Sequence, residues 1–349
     1  MVSQSSFRLR KMLKKNKVFF VFLGLFFISL FSFFVFFCWG IYSAKNPDDK
    51  EEVVLRIEKG ENLFSISRNL EKNNLIRHRI FFQIYVFSSG DYKHLQAGSY
   101  FFSPSMNIPR ISQEMARGEI AKVKVVIPEG LTSAEIEDKL NSKINQTVKL
   151  QLENQNFKTY KGEFSFLKDA PDGASLEGFL FPDTYDFAID TTSEEAARIF
   201  LVNFEKKLSP QIKTDIEKQG KRLFDIVIMA SLLEKEVITL SDKKIVSGIL
   251  WKRLEENIPL QVDATVGFAK TGKAVKISRE DTLIDSPYNT YKYKGLPIGP
   301  ICSPGLKSIE AAVYPEASQF WYYLSAPSRQ TIFSRTYDEH LLAKAKYLP

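Results

Sequence analysis

Residues Val18–Ala44 read VFFVFLGLFFISLFSFFVFFCWGIYSA, 27 residues without a charge. About 20 apolar residues cross a bilayer, because a helix rises 1.5 Å per residue through a hydrocarbon core about 30 Å thick. A cleaved signal sequence has an apolar region of about 7–15 residues followed by a small-residue cleavage site. This run is too long for that, so an uncleaved anchor is expected. Upstream, Arg8, Arg10, Lys11, Lys14, Lys15 and Lys17 supply six cations and no acid, which places the N-terminus in the cytoplasm. Downstream, Trp39 and Tyr42 stand where an outer aromatic belt would lie. The chain therefore divides into a basic cytoplasmic tail (1–17), a transmembrane helix (18–44), a polar linker KNPDDKEE (45–52) and an extracytoplasmic remainder.

The net charge is +7 over 349 residues, and the tail holds six of those charges. The basic balance thus describes a short tail, and with no basic patch interleaved with aromatics, nucleic acid is not an expected partner. Apolar residues make up 44% of the chain, enough for the cores of two to three domains at roughly 100–200 residues each. Cys38 lies in the span, leaving Cys302 alone outside it. No disulfide can form within the exported part, whose stability must come from packing.

Beyond the linker, VVLRIEKGENLFSISRNL (53–70) reads as a strand with Val54 and Ile57, a turn at Gly60, and a helix capped by Asn62 that carries Leu63, Ile66 and Leu70. The same grammar returns in VKVVIPEGLTSAEIEDKL (123–140), where Gly130, Thr132, Ile136 and Leu140 match Gly60, Asn62, Ile66 and Leu70. Thr132 and Glu135 have capping-box spacing. Between the copies, LIRHRIFFQIYVFS (75–88) predicts a helix and LQAGSYFFSP (95–104) a returning strand. Together these predict a first compact α/β module at 53–120. From 121 onward helical stretches alternate with Gly/Pro-rich loops: LEGFLFPDTYDF (176–187) as a loop, Thr192–Leu208 and Phe224–Leu240 as helices, and SPYNTYKYKGLPIGPICSPG (286–305) as an ordered loop lining something.

The helix at 224–240 is apolar except for Asp225 near its start and the charges of ASLLEKE (230–236). Glu234 shares a face with Val227, Ala230, Ser231, Val237 and Ile238, while Glu236 points about 200° away. A carboxylate among aliphatic side chains is costly to desolvate, so it either pairs with a cation or keeps its proton. A retained proton is what a general acid needs; pairing with Lys or Arg, or capping a loop, would be structural. The residues alone leave both readings open. Lys235 and Glu236 are assigned no catalytic role. His78, His94 and His340 are scattered, so no metal site is expected. Neither Ser334 nor Thr336 near His340 sits in a nucleophile elbow.

ASLLEKE, LEGFLFPDTY, LQVDATV (260–266), SPYNTY (286–291), GLPIGPICSPG (295–305) and FSRTYDEH (333–340), in this order behind one N-terminal anchor, resemble the endolytic murein transglycosylases of the YceG/MltG type. The resemblance spans residues 50–345. It implies an α+β protein with a single N-terminal transmembrane helix, a LysM-like α/β subdomain at 53–120 and a mixed α+β catalytic domain at 121–349. The implied location is the cytoplasmic membrane, single-pass, with the catalytic domain outside. The implied activity is lytic cleavage of nascent peptidoglycan strands between N-acetylmuramic acid and N-acetylglucosamine. Glu234, the first glutamate of EKE, would be acid and then base, and the muramic 6-hydroxyl would attack its own C1 to leave a 1,6-anhydro end. Such an intramolecular nucleophile explains why one carboxylate suffices where hydrolases use two. Asp183, Tyr185, Gln261, Asp263, Tyr288, Asn289 and Tyr291 are the implied cleft residues, glycan strands and peptidoglycan synthases the implied partners, and no cofactor is called for. Two positions depart from the family pattern: Ala264 stands where a proline commonly follows the aspartate, and Thr331 where a histidine often precedes FS. The alternative from a different class is an idle, anchored peptidoglycan-binding scaffold.

Overall fold

The computed structural model describes residues 3–144, 149–273 and 275–348, with side chains from residue 22 onward. Two compact units divide the chain, Met1–Lys122 and Val123–Pro349.

The first unit begins with α1 (Ser3–Tyr42), one continuous helix that includes the basic tail and does not start at Val18. Its stretch Phe22–Tyr42 has a mean hydropathy of 2.3, is exposed except near its end, where Gly40 and Ile41 are buried, and is long and apolar enough to cross a membrane. Then follow β1 (Val53–Ile57), α2 (Leu63–Lys72), α3 (Arg79–Ser89), β2 (Gly98–Phe102) and α4 (Ile108–Arg117). The strands pair antiparallel, Val53 opposite Phe102 and Ile57 opposite Gly98. Leu55, Leu70, Phe82, Val86, Tyr100, Phe102 and Met115 form their common core. The expected Asn62 cap is in place, its Oδ1 accepting the Ser65 amide at 2.9 Å, and a cap not expected from the sequence is His78, whose Nδ1 accepts the Ile80 amide at 3.3 Å. α3 therefore starts four residues after Leu75, which is buried in the preceding turn.

In the second unit β3 (Lys122–Val126) leads through the Gly130 turn to α5 (Ser133–Lys143) and the single turn α6 (Phe157–Tyr160). β4 (Thr184–Ala188) pairs with β3. α7 (Ser193–Lys207), α8 (Pro210–Lys218), α9 (Leu223–Glu236), α10 (Leu240–Glu255), α11 (Asp263–Thr271) and α12 (Leu306–Val313) follow. The chain closes with the antiparallel hairpin β5 (Tyr322–Ser325) and β6 (Thr331–Ser334), then α13 (Tyr337–Tyr347). Thr132 and Glu135 satisfy each other's amides as a capping box, as do Thr192 and Glu195. α9 is the central element, with Phe224 and every residue from Ile226 to Leu233 buried. Phe179 links its start to the rest, lying 4.9 Å from Phe157 and 5.0 Å from Phe204 between ring centres.

Two expectations are corrected. The single helix at 224–240 is two helices: Val237 is extended (φ −143°, ψ 154°), and Thr239 caps α10 by accepting the Asp242 amide. The stretch at 176–187 is loop only as far as Asp183, beyond which it becomes β4. Residues 286–305 are ordered without helix or strand.

Glu177 braces this unit from within. One of its oxygens accepts the Ser133 amide at 2.9 Å and the Ser133 hydroxyl at 2.5 Å, fastening the 176–187 segment to the start of α5. Burial pushes its acidity constant from 4.5 up to about 7, against the lowering effect of those bonds. Between these values the folded state binds more protons than the unfolded chain, so this residue's contribution to stability falls as pH rises from about 4.5 to about 7. Glu177→Gln stays neutral and keeps a carbonyl acceptor. Melting temperatures of the full chain in detergent should decline less steeply between pH 5 and pH 8 in this variant than in wild type, and parallel declines would remove Glu177 as the cause.

Candidate active site

The end of α9 meets the start of α12 through one carboxylate. α12 opens at Gly305 without a side-chain cap of its own. Glu234 supplies one: its Oε2 accepts the Gly305 amide at 3.0 Å and the Ser308 hydroxyl at 2.6 Å. The partial positive charge of a helix N-terminus favours an anion at that place. Glu234 Oε1 lies 3.1 Å from Nζ of Lys243 on α10, and the two side chains are only 11% and 4% exposed. Lys243 Nζ also donates to Ser308 Oγ at 2.5 Å, closing a three-membered polar network. The surroundings of Glu234 are therefore not the aliphatic face expected of an unbroken helix. Of the two alternatives open in the sequence, pairing with a cation is the one the structure adopts.

The loops over this network are fixed from below. Ser231, one turn before Glu234, accepts the Ile301 amide on its hydroxyl at 3.1 Å and the Cys302 thiol on its carbonyl at 3.4 Å. The Gly130 amide donates to Ser303 O and the Ser303 amide to Leu131 O, both at 2.8 Å, which ties the 128–131 turn to the 301–305 loop. Gly305 lies directly under Glu129: a Cβ there would come 1.9 Å from Glu129 Oε1, the movable end of that side chain. The exposed Glu129 carboxylate thus stands against the residue whose amide binds Glu234.

Glu236 occupies a different environment. The Tyr323 hydroxyl and the Ala264 amide donate to it, while burial and then the charge of Asp263 push its acidity constant up to about 7. Tyr291 donates its hydroxyl to Asp263 Oδ1 at 2.5 Å, and Arg253 holds Gln261 Oε1 at 2.9 Å. Three of the expected cleft residues, Gln261, Asp263 and Tyr291, thus gather on the Glu236 side of the α9 terminus.

The other four are placed differently. Asp183 pairs with Lys207 at 2.8 Å and accepts from Asn203; the Lys207 bond leads the causes that hold it down at about 2. Tyr185 is buried, donating to Phe181 O at 2.6 Å and accepting from Asn203 at 2.8 Å, with its ring 4.6 Å from Phe200. Asn289 is fully buried and staples its loop, donating to Thr282 O and Ile284 O and accepting the Tyr291 amide. Tyr288 packs 4.9 Å from Phe268. Tyr185 and Asn289 are corrected from cleft to interior residues, because their polar atoms are used within the chain's own loops.

Lys243, Ser308 and Glu129 escape a reading by helix periodicity. Lys243 is nine residues after Glu234, which an unbroken helix would turn to the opposite side; the break at Val237 brings it back. Glu129 carries a faint signal, since it replaces Lys59 of the first strand–turn–helix copy. A separate cleft of about 480 Å³ opens at the other end of α9, beside the Arg222–Asp225 ion pair. Among the described residues no group of three or more His, Cys, Asp or Glu converges as metal ligands would.

The YceG-like family matches residues 55–346, and the chain belongs to it. An endolytic murein transglycosylase of Bacillus subtilis (strain 168) is 29% identical over 313 residues, covering 86% of either chain. One of Streptococcus pneumoniae serotype 2 (strain D39) is 30% identical over 307 residues, which are 80% of this chain and 55% of that longer one. The crystal structure of a yceG-like protein from Listeria monocytogenes matches with a TM-score of 0.58 at 31% identity, covering 84% of this chain and all of that one.

Removing one member of a buried ion pair strands the other and costs about 3–5 kcal/mol. Lys243→Met should lower the urea stability of the full chain in detergent by that order. Adding Glu234→Gln should restore a large part of the loss, since the stranded charge is then gone. Strictly additive losses in this double-mutant cycle would mean that the pair is not energetically coupled.

Proposed function

We propose that this chain is a membrane-anchored endolytic lytic transglycosylase that cuts nascent peptidoglycan strands between N-acetylmuramic acid and N-acetylglucosamine and leaves 1,6-anhydro-muramyl ends. The observation that carries the proposal is the Glu234 carboxylate, held by Gly305, Ser308 and Lys243 at a helix N-terminus, in a chain whose relatives bear the name endolytic murein transglycosylase. In this reading Glu234 gives its proton to the glycosidic oxygen as the C1–O bond breaks. It then takes the proton of the muramic 6-hydroxyl as that oxygen bonds to C1. No water is consumed: the first proton leaves on the departing sugar hydroxyl, and Glu234 ends protonated by the 6-hydroxyl proton.

Lys243 and Ser308 support both halves. The hydrogen-bond chain from Lys243 through Ser308 to Glu234 is a route for the proton, and glycan covering the site raises the cost of keeping the charges separated. After transfer Lys243 is a neutral amine, and the Gly305 amide and the Ser308 hydroxyl stabilise the carboxylate until it takes the 6-hydroxyl proton. Such fixed donors cost no reorganisation during reaction. Gln261, Asp263 and Tyr291 would hold sugar hydroxyl and N-acetyl groups beside the acid. The basic tail would remain in the cytoplasm, α1 would anchor the chain in the membrane, and residues 53–120, whose βααβ elements are followed by α4, would form a LysM-like module that touches glycan.

A second assignment has one specific observation in its favour. Glu236 keeps its proton up to about pH 7, as a general acid should, and it lies among Asp263, Tyr323 and the α11 amide of Ala264. The two assignments separate by mutation of the full-length protein, assayed by mass spectrometry of glycan products. Glu234→Gln should lower the yield of anhydro ends by about 10²- to 10⁴-fold, the usual scale of general acid–base catalysis, with the fold intact. Glu236→Gln should lose far less. The reverse ranking would move the acid role to Glu236, products with reducing ends would identify a hydrolase, and wild-type protein that makes no new ends would identify a scaffold.

A further inference from the structure

The end of α1 is bolted to the first module, and the contacts fix the height of α3. The Phe81 ring of α3 lies 5.9 Å from Phe36 and 5.5 Å from Phe37 between centres. It also rests on Gly40, where a Cβ would come within 2.7 Å of it. Arg77 donates to Ala44 O at 2.6 Å with its guanidinium 4.1 Å from the centre of the Trp39 ring. Asn107 donates to Tyr42 O at 3.2 Å, and the Asn46 amide to Pro104 O at 2.9 Å. Phe37 is five residues before Tyr42, or about 8 Å along the helix. Headgroup layers add about 5–7 Å on each side of the hydrocarbon core. The start of α3 therefore lies level with the outermost turns of the apolar span.

α3 has three apolar faces, and two are accounted for. Phe82 and Val86 enter the module core. Phe81 and Tyr85 meet α1. Ile80, Ile84 and Phe87 form a third stripe at spacings of four and three, and they are 48%, 44% and 69% exposed. Helix geometry puts this stripe about 100° round from the α1-facing residues, on the flank beside the anchor. Tyr92 extends it, stacked on Phe87 at 5.3 Å. α3 contains one charged residue, Arg79 at its first position, and no acid.

We propose that this stripe is a second membrane contact: α3 lies in the outer interface with Ile80, Ile84 and Phe87 among the lipids that surround α1. The proposal rests on the reading of α1 as a membrane anchor. Lipid is the occupant because the stripe continues the lipid-facing surface of the helix to which α3 is fixed. An interfacial helix of this kind buries an apolar face while its polar side stays wet. The module is thereby seated on the bilayer and does not swing on the 45–52 linker.

The test uses the full chain, on a Cys38→Ser background, in vesicles of phosphatidylethanolamine and phosphatidylglycerol. Spin labels are placed singly at Ile84→Cys, Phe87→Cys, Phe31→Cys in the middle of the span, and Lys72→Cys on exposed α2; buried Cys302 stays unlabelled. Collision with oxygen reports lipid, and collision with a water-soluble nickel chelate reports water. The oxygen-to-nickel ratio at 84 and 87 should be several-fold above that at 72 and below that at 31. If 84 and 87 match 72 while 31 is lipid-exposed, the α3 contact is wrong and the anchor stands. If 31 also matches 72, the anchor reading fails and this proposal with it. Labels at 84 and 87 shielded from both reagents would show a protein partner or a second copy on the stripe, and likewise overturn it.

Discussion

A buried ammonium and a largely buried carboxylate 3.1 Å apart, Lys243 and Glu234, set the geometry on which the second unit depends. Each belongs to a different helix, and both bond to Ser308 on a third. Desolvation takes back much of the attraction within such a pair, so its net contribution to stability is small. Its consequence is positional: α9, α10 and α12 can meet in few ways that leave neither charge stranded. The carboxylate, fully engaged by the Gly305 amide, the Ser308 hydroxyl and Lys243, has its orientation fixed before any glycan arrives.

The break at Val237–Thr239 is what lets the pair form. Within α9 the two glutamates are two residues apart, and their environments diverge completely. Glu234 receives a cation and a helix N-terminus. Glu236 is raised in pKa by burial and then by the nearby negative charge of Asp263, which outweigh the opposing hydrogen bonds from the Tyr323 phenol and the Ala264 amide. One side chain is thus held beside a cation and a helix N-terminus and the other in a site that raises its pKa, on opposite sides of one helix end. Residues from distant segments, Asp263 and Tyr291 among them, converge on the second of these.

The two strand–turn–helix copies share local chemistry and differ in use. Their glycines both adopt left-handed φ, +84° at Gly60 and +83° at Gly130, and both following helices are capped by a side chain three residues before the capped amide. The first copy closes a small core with β2 and α3. In the second, Glu129 replaces lysine, and the turn is bonded to the 301–305 loop over Glu234. The same local solution serves as scaffold in one unit and as a wall of the candidate site in the other.

Elements governed by neighbours in sequence were legible without a structure. The apolar length of α1, the caps at Asn62 and Thr132, the β1–β2 return and the irregular but ordered 286–305 loop all follow from periodicity and turn chemistry over a few residues. Family resemblance singled out Glu234, and helix geometry separated it from Glu236. Tertiary structure alone decided what surrounds each of them. A helix break of three residues reversed the direction of Lys243, and Ser308 lies seventy-four residues from Glu234. Tyr185 and Asn289 have the side chains of cleft residues yet lie inside, because Phe181 O, Asn203, Thr282 O and Ile284 O supply the partners that glycan hydroxyls would otherwise offer. Local sequence fixes which groups a segment can present; whether a polar group meets substrate, a cation or a backbone carbonyl depends on segments that only the packed chain brings within 3 Å.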